Sequence, residues 1–118
     1  MNRIVPPQQT ILITGGAGFI GSHLCERMLE QKHRVICVDN FLTGRRETIK
    51  ALTSNPLFLL IEADVTQPLD IQEPVDQIYN MACAASPPLY QADPVHTMMT
   101  NVLGVNNLLI LASEKNAR

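Results

Sequence analysis

Thr10-Ile11-Leu12-Ile13-Thr14-Gly15-Gly16-Ala17-Gly18-Phe19-Ile20-Gly21-Ser22-His23 is the stretch whose reading decides the fold. A short apolar run, Ile11 to Ile13, leads into Gly15, Gly18 and Gly21 at a Gly-x-x-Gly-x-x-Gly spacing. A helical pattern then starts at Ile20. Ile20, Leu24, Cys25, Met28 and Leu29 share one face, and Glu26, Arg27, Glu30 and Lys32 the other. A nucleotide-binding turn between strand and helix needs this arrangement. One glycine permits the tight turn, a second lets the backbone approach a pyrophosphate, and a third lets helix and strand pack closely. The start of the helix adds unpaired N–H groups and a partial positive charge facing the anion.

Val35 to Val38 read as a second buried strand, closing a βαβ unit and ending at Asp39. An acidic residue about 20 positions beyond the glycines is where a carboxylate accepts hydrogen bonds from an adenosine ribose. It would also repel a 2′-phosphate, so Asp39 favours NAD, while Arg45 and Arg46 just downstream keep NADP in play. Further strands are expected at Leu57–Ile61 and Val75–Met81, with a short helix from Arg46 to Leu52 between the second and third. Pro87-Pro88 break the chain. Asp93-Pro94 is a helix start, an N-cap carboxylate followed by proline. The helix that follows, Val95 to Ala112, is apolar on more than one face and is expected to run to the chain end at Arg118. The result is an α/β domain over residues 11–118, preceded by a leader over 1–10. Its sheet is a Rossmann-like, doubly wound parallel sheet of order 3-2-1-4, ending before a fifth strand. Its ligand crevice falls between the Gly15–Gly21 turn and the Ala82–Ser86 turn.

Composition narrows the classes. The 118 residues are 46% hydrophobic and 17% charged, enough apolar content for one packed domain. A net charge of −2 gives no electrostatic case for nucleic acid. No apolar stretch near the start has the length of a signal peptide, and no run approaches the ~20 residues of a membrane span. A cytoplasmic protein without a membrane partner is expected. Cys25, Cys37 and Cys83 lack metal-ligand spacing and read as buried reduced thiols, so no metal site is expected. His23 and His33 read as surface and turn residues, and Met98-Met99 as core or interface.

Thr14 to Leu24 resembles the glycine motif of the extended short-chain dehydrogenase/reductase superfamily, the NAD-dependent epimerases and dehydratases. Val38-Asp39-Asn40-Phe41, Thr43-Gly44-Arg45, Asp64-Val65 and Ile78 to Cys83 extend the likeness. So do Ala85 to Pro88 with Tyr90, Asp93-Pro94 and Thr100-Asn101-Val102 with Gly104. Within the superfamily the stretches look most like the UDP-glucuronate decarboxylases, with dTDP-glucose 4,6-dehydratases and UDP-sugar 4-epimerases as neighbours. The resemblance implies NAD as cofactor, its pyrophosphate against Gly15, Gly18, Phe19 and Ile20. Asp39, Asn40, Thr43 and Gly44 would meet the adenosine ribose and its surroundings, and Asp64 and Val65 the adenine. Met81, Ala82 and Ala84 would pass beneath the cofactor, with Asn101 supporting that region. It also implies a UDP-glucuronate-like nucleotide sugar, oxidised at C4 so that the C5 carboxylate is easily lost, and a homodimer formed through the Val95–Ala112 helix.

The family's catalytic residues are not matched within the chain. The Ser/Thr of the fifth strand and the Tyr-x-x-x-Lys pair would fall beyond Arg118, and neither Tyr79 nor Tyr90 has lysine four positions on. No catalytic residue is therefore assigned, and the 118 residues alone are expected to be inactive. His96 and Met99 stand where related decarboxylases carry lysine, and Glu73-Pro74 lengthen the loop before the fourth strand. A non-catalytic NAD-binding module is the alternative from another class.

Overall fold

The computed structural model describes residues 7–41, 44–82 and 91–118. In chain order these form β1 (Thr10–Thr14), α1 (Phe19–Glu30), β2 (Arg34–Asp39), α2 (Arg46–Ile49), β3 (Phe58–Glu62) and β4 (Gln77–Asn80). After them come α3 (Pro94–Met99), a π-helical turn (Thr100–Gly104) and α4 (Val105–Lys115). The strands make one parallel sheet in the order β3-β2-β1-β4, the expected 3-2-1-4. Ile11 stands opposite Val35 and Gln77, and Asp39 opposite Glu62.

Alternation along the central strands gives each face its own core. Ile11, Ile13, Val35 and Cys37 point to the face covered by Cys25 and Leu29 of α1. Leu12, Ile36 and Val38 point to the other, against Val65, Ile71, Val75 and Leu108 and Leu111 of α4. Burial on both faces is why β1 and β2 read as continuous apolar runs. β3 lies at the sheet edge and leaves Leu59 39% exposed.

Three expectations are corrected. The expected face of α1 is observed at Cys25 and Leu29, with Leu24 and Met28 packed against the same core and Gly21 and Ser22 buried beside them, whereas Ile20 is 62% exposed. The second helix stops at Ile49 and continues to Asn55 as turns closed between residues three apart. The last helix stops at Lys115, where Asn116 takes a left-handed cap (φ 53°) and the Ala117 N–H donates to the Ala112 carbonyl at 2.8 Å. Arg118 then lies along β4. Its N–H donates to the Asp76 carbonyl and its carbonyl accepts from the Ile78 N–H, the pattern of a parallel ladder.

The Asp93 cap is observed: its Oδ1 accepts from the His96 N–H at 3.0 Å, with Pro94 next in the chain. From Pro94 to Lys115 the helical segment runs 22 residues, with a mean hydropathy of 1.2 in its most apolar window. By length and composition alone it is long and apolar enough to cross a membrane, a test that core helices of soluble proteins also pass, and polar residues such as Asn101, Asn106 and Asn107 interrupt its apolar run. Contacts of Gly104, Leu108 and Leu111 with the sheet side account for one of its apolar faces.

Candidate functional site

The C-terminal ends of the four strands lie along one edge of the sheet, and the glycine turn sits there between β1 and α1. Gly15 leaves the strand at φ +67°, a left-handed conformation, and its N–H donates to the Val38 carbonyl at 2.7 Å. A side chain at Gly15 would also run into the Met81 carbonyl. Gly21 is closed off differently: a Cβ there would strike the Gly15 carbonyl oxygen, so its lack of a side chain sets how closely α1 approaches β1.

Gly18 differs from both. Its φ of −77° and ψ of 176° are open to any residue, and an added Cβ would meet only the Gly15 carbonyl oxygen, at 3.3 Å. The backbone angles do not call for glycine here, and packing asks only that the Gly15 carbonyl oxygen give by a few tenths of an ångström. Gly18 is the N-cap of α1 and brings no side chain to the N–H groups of the first turn, Phe19, Ile20 and Gly21. These are the conditions an anion needs to reach a helix N-terminus. The Phe19 and Ile20 side chains project outward, 81% and 62% exposed, leaving the backbone of the first turn as their contribution.

Asp39 is buried, and its carboxylate ties the end of β2 to this turn. Oδ2 accepts the Ala17 N–H at 3.0 Å and Oδ1 the Phe41 N–H at 2.7 Å. Among the described residues each oxygen accepts one bond, and a carboxylate oxygen has capacity for another donor. The next loop closes over the same place. A Cβ on Gly44 would lie 2.9 Å from that of Ala17, and the Arg45 N–H donates to the Ala17 carbonyl at 3.4 Å. Asn40 is exposed beside Asp39. Beyond β3, Asp64 is half-buried. Its Oδ1 accepts from both the backbone N–H and the hydroxyl of Thr66, each at 2.9 Å. Val65 is packed into the core.

On the β4 side, fully buried Thr14 organises the turn. Its hydroxyl donates to Asn80 Oδ1 at 2.7 Å and accepts the Met81 N–H at 3.1 Å, placing Met81 and Ala82 against Gly15. Thr43, Cys83, Ala84, Ser86 and Tyr90 lie outside the described residues, as does the Ala82–Ser86 turn beyond Ala82. Asn101 is exposed on the π-helical turn. The sequence reading missed Asn107: its Nδ2 donates to the Val65 carbonyl at 2.8 Å, fixing the last helix to the loop after β3. An amide inside an otherwise leucine-rich run was the available signal.

Two further groups are structural. The Tyr79 hydroxyl donates to Gln77 Oε1 at 2.9 Å, two residues back on its own strand. Cys25 and Cys37 are free, buried thiols beneath Gly16, as expected. The Cys25 side chain beside Cys37, together with burial, pushes the Cys37 thiol well above its ordinary value. Among the described residues no cluster of His, Cys, Asp and Glu has the makings of a metal site.

A strand, a glycine turn, a helix and a buried acidic residue closing the next strand define the dinucleotide-binding class of doubly wound domains. The chain belongs to the NAD dependent epimerase/dehydratase family, whose profile matches residues 11–118. It is 48% identical over 118 residues to UDP-glucuronic acid decarboxylase 3 of Arabidopsis thaliana, covering 99% of this chain and 34% of that protein. The crystal structure of a UDP-galactose 4-epimerase superposes with a TM-score of 0.78 at 32% identity, over 92% of this chain and 36% of that one. Bordetella bronchiseptica WbmH, solved in complex with NAD+, superposes with a TM-score of 0.79 at 30% identity, over 93% and 37%. The chain thus spans about a third of the length of these relatives.

Proposed function

We propose that the chain is the NAD-binding portion of a nucleotide-sugar enzyme, a decarboxylase acting on UDP-glucuronate. The observation that carries the cofactor reading is the pairing of Gly18 with Asp39. A position whose backbone angles suit any residue holds no side chain at the start of a helix, and a buried carboxylate beside it retains acceptor capacity. A pyrophosphate explains the first and a ribose diol the second. Gly15, Gly18, Phe19 and Ile20 hold the pyrophosphate through backbone, Asp39, Asn40, Thr43 and Gly44 the adenosine ribose and its surroundings, and Asp64 and Val65 the adenine. Met81, Ala82 and Ala84 form the floor, with Asn101 supporting it. NAD supplies a hydride acceptor, and then a donor, at the sugar C4.

The substrate reading rests on the likeness to the UDP-glucuronic acid decarboxylases. These 118 residues by themselves bind cofactor without turning over sugar, since Tyr79 is committed to Gln77 and no Tyr-x-x-x-Lys pair is present. The product of the complete reading frame, given UDP-glucuronate and NAD, is expected to release carbon dioxide and UDP-xylose. Epimerised UDP-sugar without carbon dioxide would select the 4-epimerase reading instead, which the likeness to UDP-galactose 4-epimerase favours. Calorimetry on the present chain tests the cofactor directly: ADP-ribose and NAD bind, and NADP binds more weakly.

The helical segment from Pro94 to Lys115 forms the contact with a second copy. Val95, Met98, Val102, Val105 and Leu109 are separated alternately by three and four positions and are exposed by 39% to 65%. The π-helical turn at Thr100–Gly104 rotates the Val95–Met98 pair relative to the Val105–Leu109 pair, so the segment carries an exposed apolar surface on each side of the turn, and such a surface complements itself across a two-fold axis.

A further inference from the structure

Asp39 is the first element of cofactor choice, and two arginines follow it closely enough to receive the 2′-phosphate that NADP carries and NAD lacks. The structure shows what one of them is doing. Arg46 Nη2 lies 2.8 Å from Glu62 Oε2, and its guanidinium carbon sits 4.2 Å from the centre of the Phe41 ring. Glu62 draws the guanidinium toward β3, and the Phe41 ring holds it from the loop after β2.

The partners are themselves fixed. Glu62 ends β3 directly opposite Asp39 in the sheet register, so two acidic residues end neighbouring strands at the adenosine end of the site. The Phe41 N–H is bound to Asp39 Oδ1, and Phe41 adopts φ 58°, a conformation seldom taken by residues with bulky side chains. The connection runs without a break from the Asp39 carboxylate through the Phe41 backbone and ring to Arg46, and from Arg46 to Glu62.

We propose that Glu62 determines cofactor specificity as a positioning residue acting through Arg46. By holding Arg46 on Phe41 it keeps the guanidinium from the 2′ position of the adenosine ribose. Its own charge adds to that of Asp39 against a 2′-phosphate. This inference rests on the dinucleotide reading given above. Arg46 and Glu62 are exposed, so both can be changed without opening the core. A solvent-exposed pair of this kind controls affinity ratios of about fivefold, the scale on which the effect is expected.

The test is calorimetry on the 118-residue chain with ADP-ribose and 2′-phospho-ADP-ribose, using wild type, E62Q and the double variant R46A/E62Q. Thermal melts verify that each is folded. E62Q is expected to narrow the preference for the unphosphorylated ligand by about fivefold, and R46A/E62Q to lose most of that gain. An unchanged ratio in E62Q, with ADP-ribose still bound, overturns the inference while leaving the cofactor reading intact. A gain kept in full by the double variant overturns the route through Arg46. Wild-type chain that binds neither ligand overturns the cofactor reading and this inference together.

Discussion

The N–H of Ala17 in the glycine turn donates to Oδ2 of Asp39 at 3.0 Å, joining residues 22 apart in sequence. The same carboxylate accepts the Phe41 N–H through Oδ1, so one buried side chain sets both loops bordering the crevice. Asp39→Asn is expected to disrupt this, because its amide nitrogen would face a backbone donor in place of an acceptor. Leaving a buried donor unmatched costs about 1–3 kcal/mol. The variant should melt at a lower temperature, and its NAD affinity should fall by at least about tenfold. Calorimetry and a thermal melt measure the two effects, and full NAD affinity in a folded Asp39→Asn would refute the ribose role.

Gly18 and Gly21 make opposite predictions from one motif. Gly18→Val keeps ordinary backbone angles and brings its Cβ to 3.3 Å from the Gly15 carbonyl oxygen, a tight contact but far milder than the clash at Gly21, so the fold is expected to survive with a modestly lowered melting temperature. Dinucleotide binding should be lost, since the branched side chain occupies the pyrophosphate approach. Gly21→Val drives its side chain into the Gly15 carbonyl and should destabilise by about 1–3 kcal/mol or more. Undiminished NAD binding by Gly18→Val would remove the turn from the site.

Much of this was legible because the features are local. The glycine turn, the apolar runs of β1 and β2 and the Asp93-Pro94 start each depend on neighbouring residues, and the sheet order follows from them. The buried face of α1 was legible at Leu24, Cys25, Met28 and Leu29, and only Ile20 was misplaced, because hydropathy counts it as core. At its first turn the helix approaches Gly15 and Gly16 so closely that the small Gly21 and Ser22 lie beneath it, and Ile20 turns outward. The helix end was misread because Asn116 supplies a left-handed cap without a glycine. The tie from Asn107 to Val65 and the Glu62–Arg46–Phe41 arrangement link distant segments, so no local pattern announces them.

Cys37 gives a pH dependence with a definite sign. Its thiol is held above the ordinary value of 9.0 in the folded chain, by the adjacent Cys25 side chain first and by burial next. Below the unfolded value both states keep the proton and the group is neutral in its effect on folding. Above it the unfolded chain releases a proton that the folded chain retains, so stability falls as pH rises past about 9. The loss is about 1.4 kcal/mol per pH unit for one such group. Urea denaturation of wild type and Cys37→Ala at pH 7 and pH 10 measures it. The variant should lose less stability between the two than wild type, and equal losses would exclude Cys37 as the source.

The last helix buries one face against the sheet and leaves another exposed, and this sets the assembly prediction. Leu108 and Leu111 are buried against the sheet, whereas Leu109 is 65% and Val102 59% exposed on the outer surface. Removing an outward residue therefore leaves the domain core untouched. Light scattering should give twice the 13.1 kDa chain mass for wild type at micromolar concentration. Leu109→Glu sets a charge in that apolar surface and should weaken association by at least about tenfold. Its melting temperature at low concentration, where both proteins are monomers, should match wild type. The low-concentration melt separates an interface effect from a folding defect. A wild-type chain that stays monomeric at tens of micromolar would show that Val95, Met98, Val102, Val105 and Leu109 do not seat a second copy.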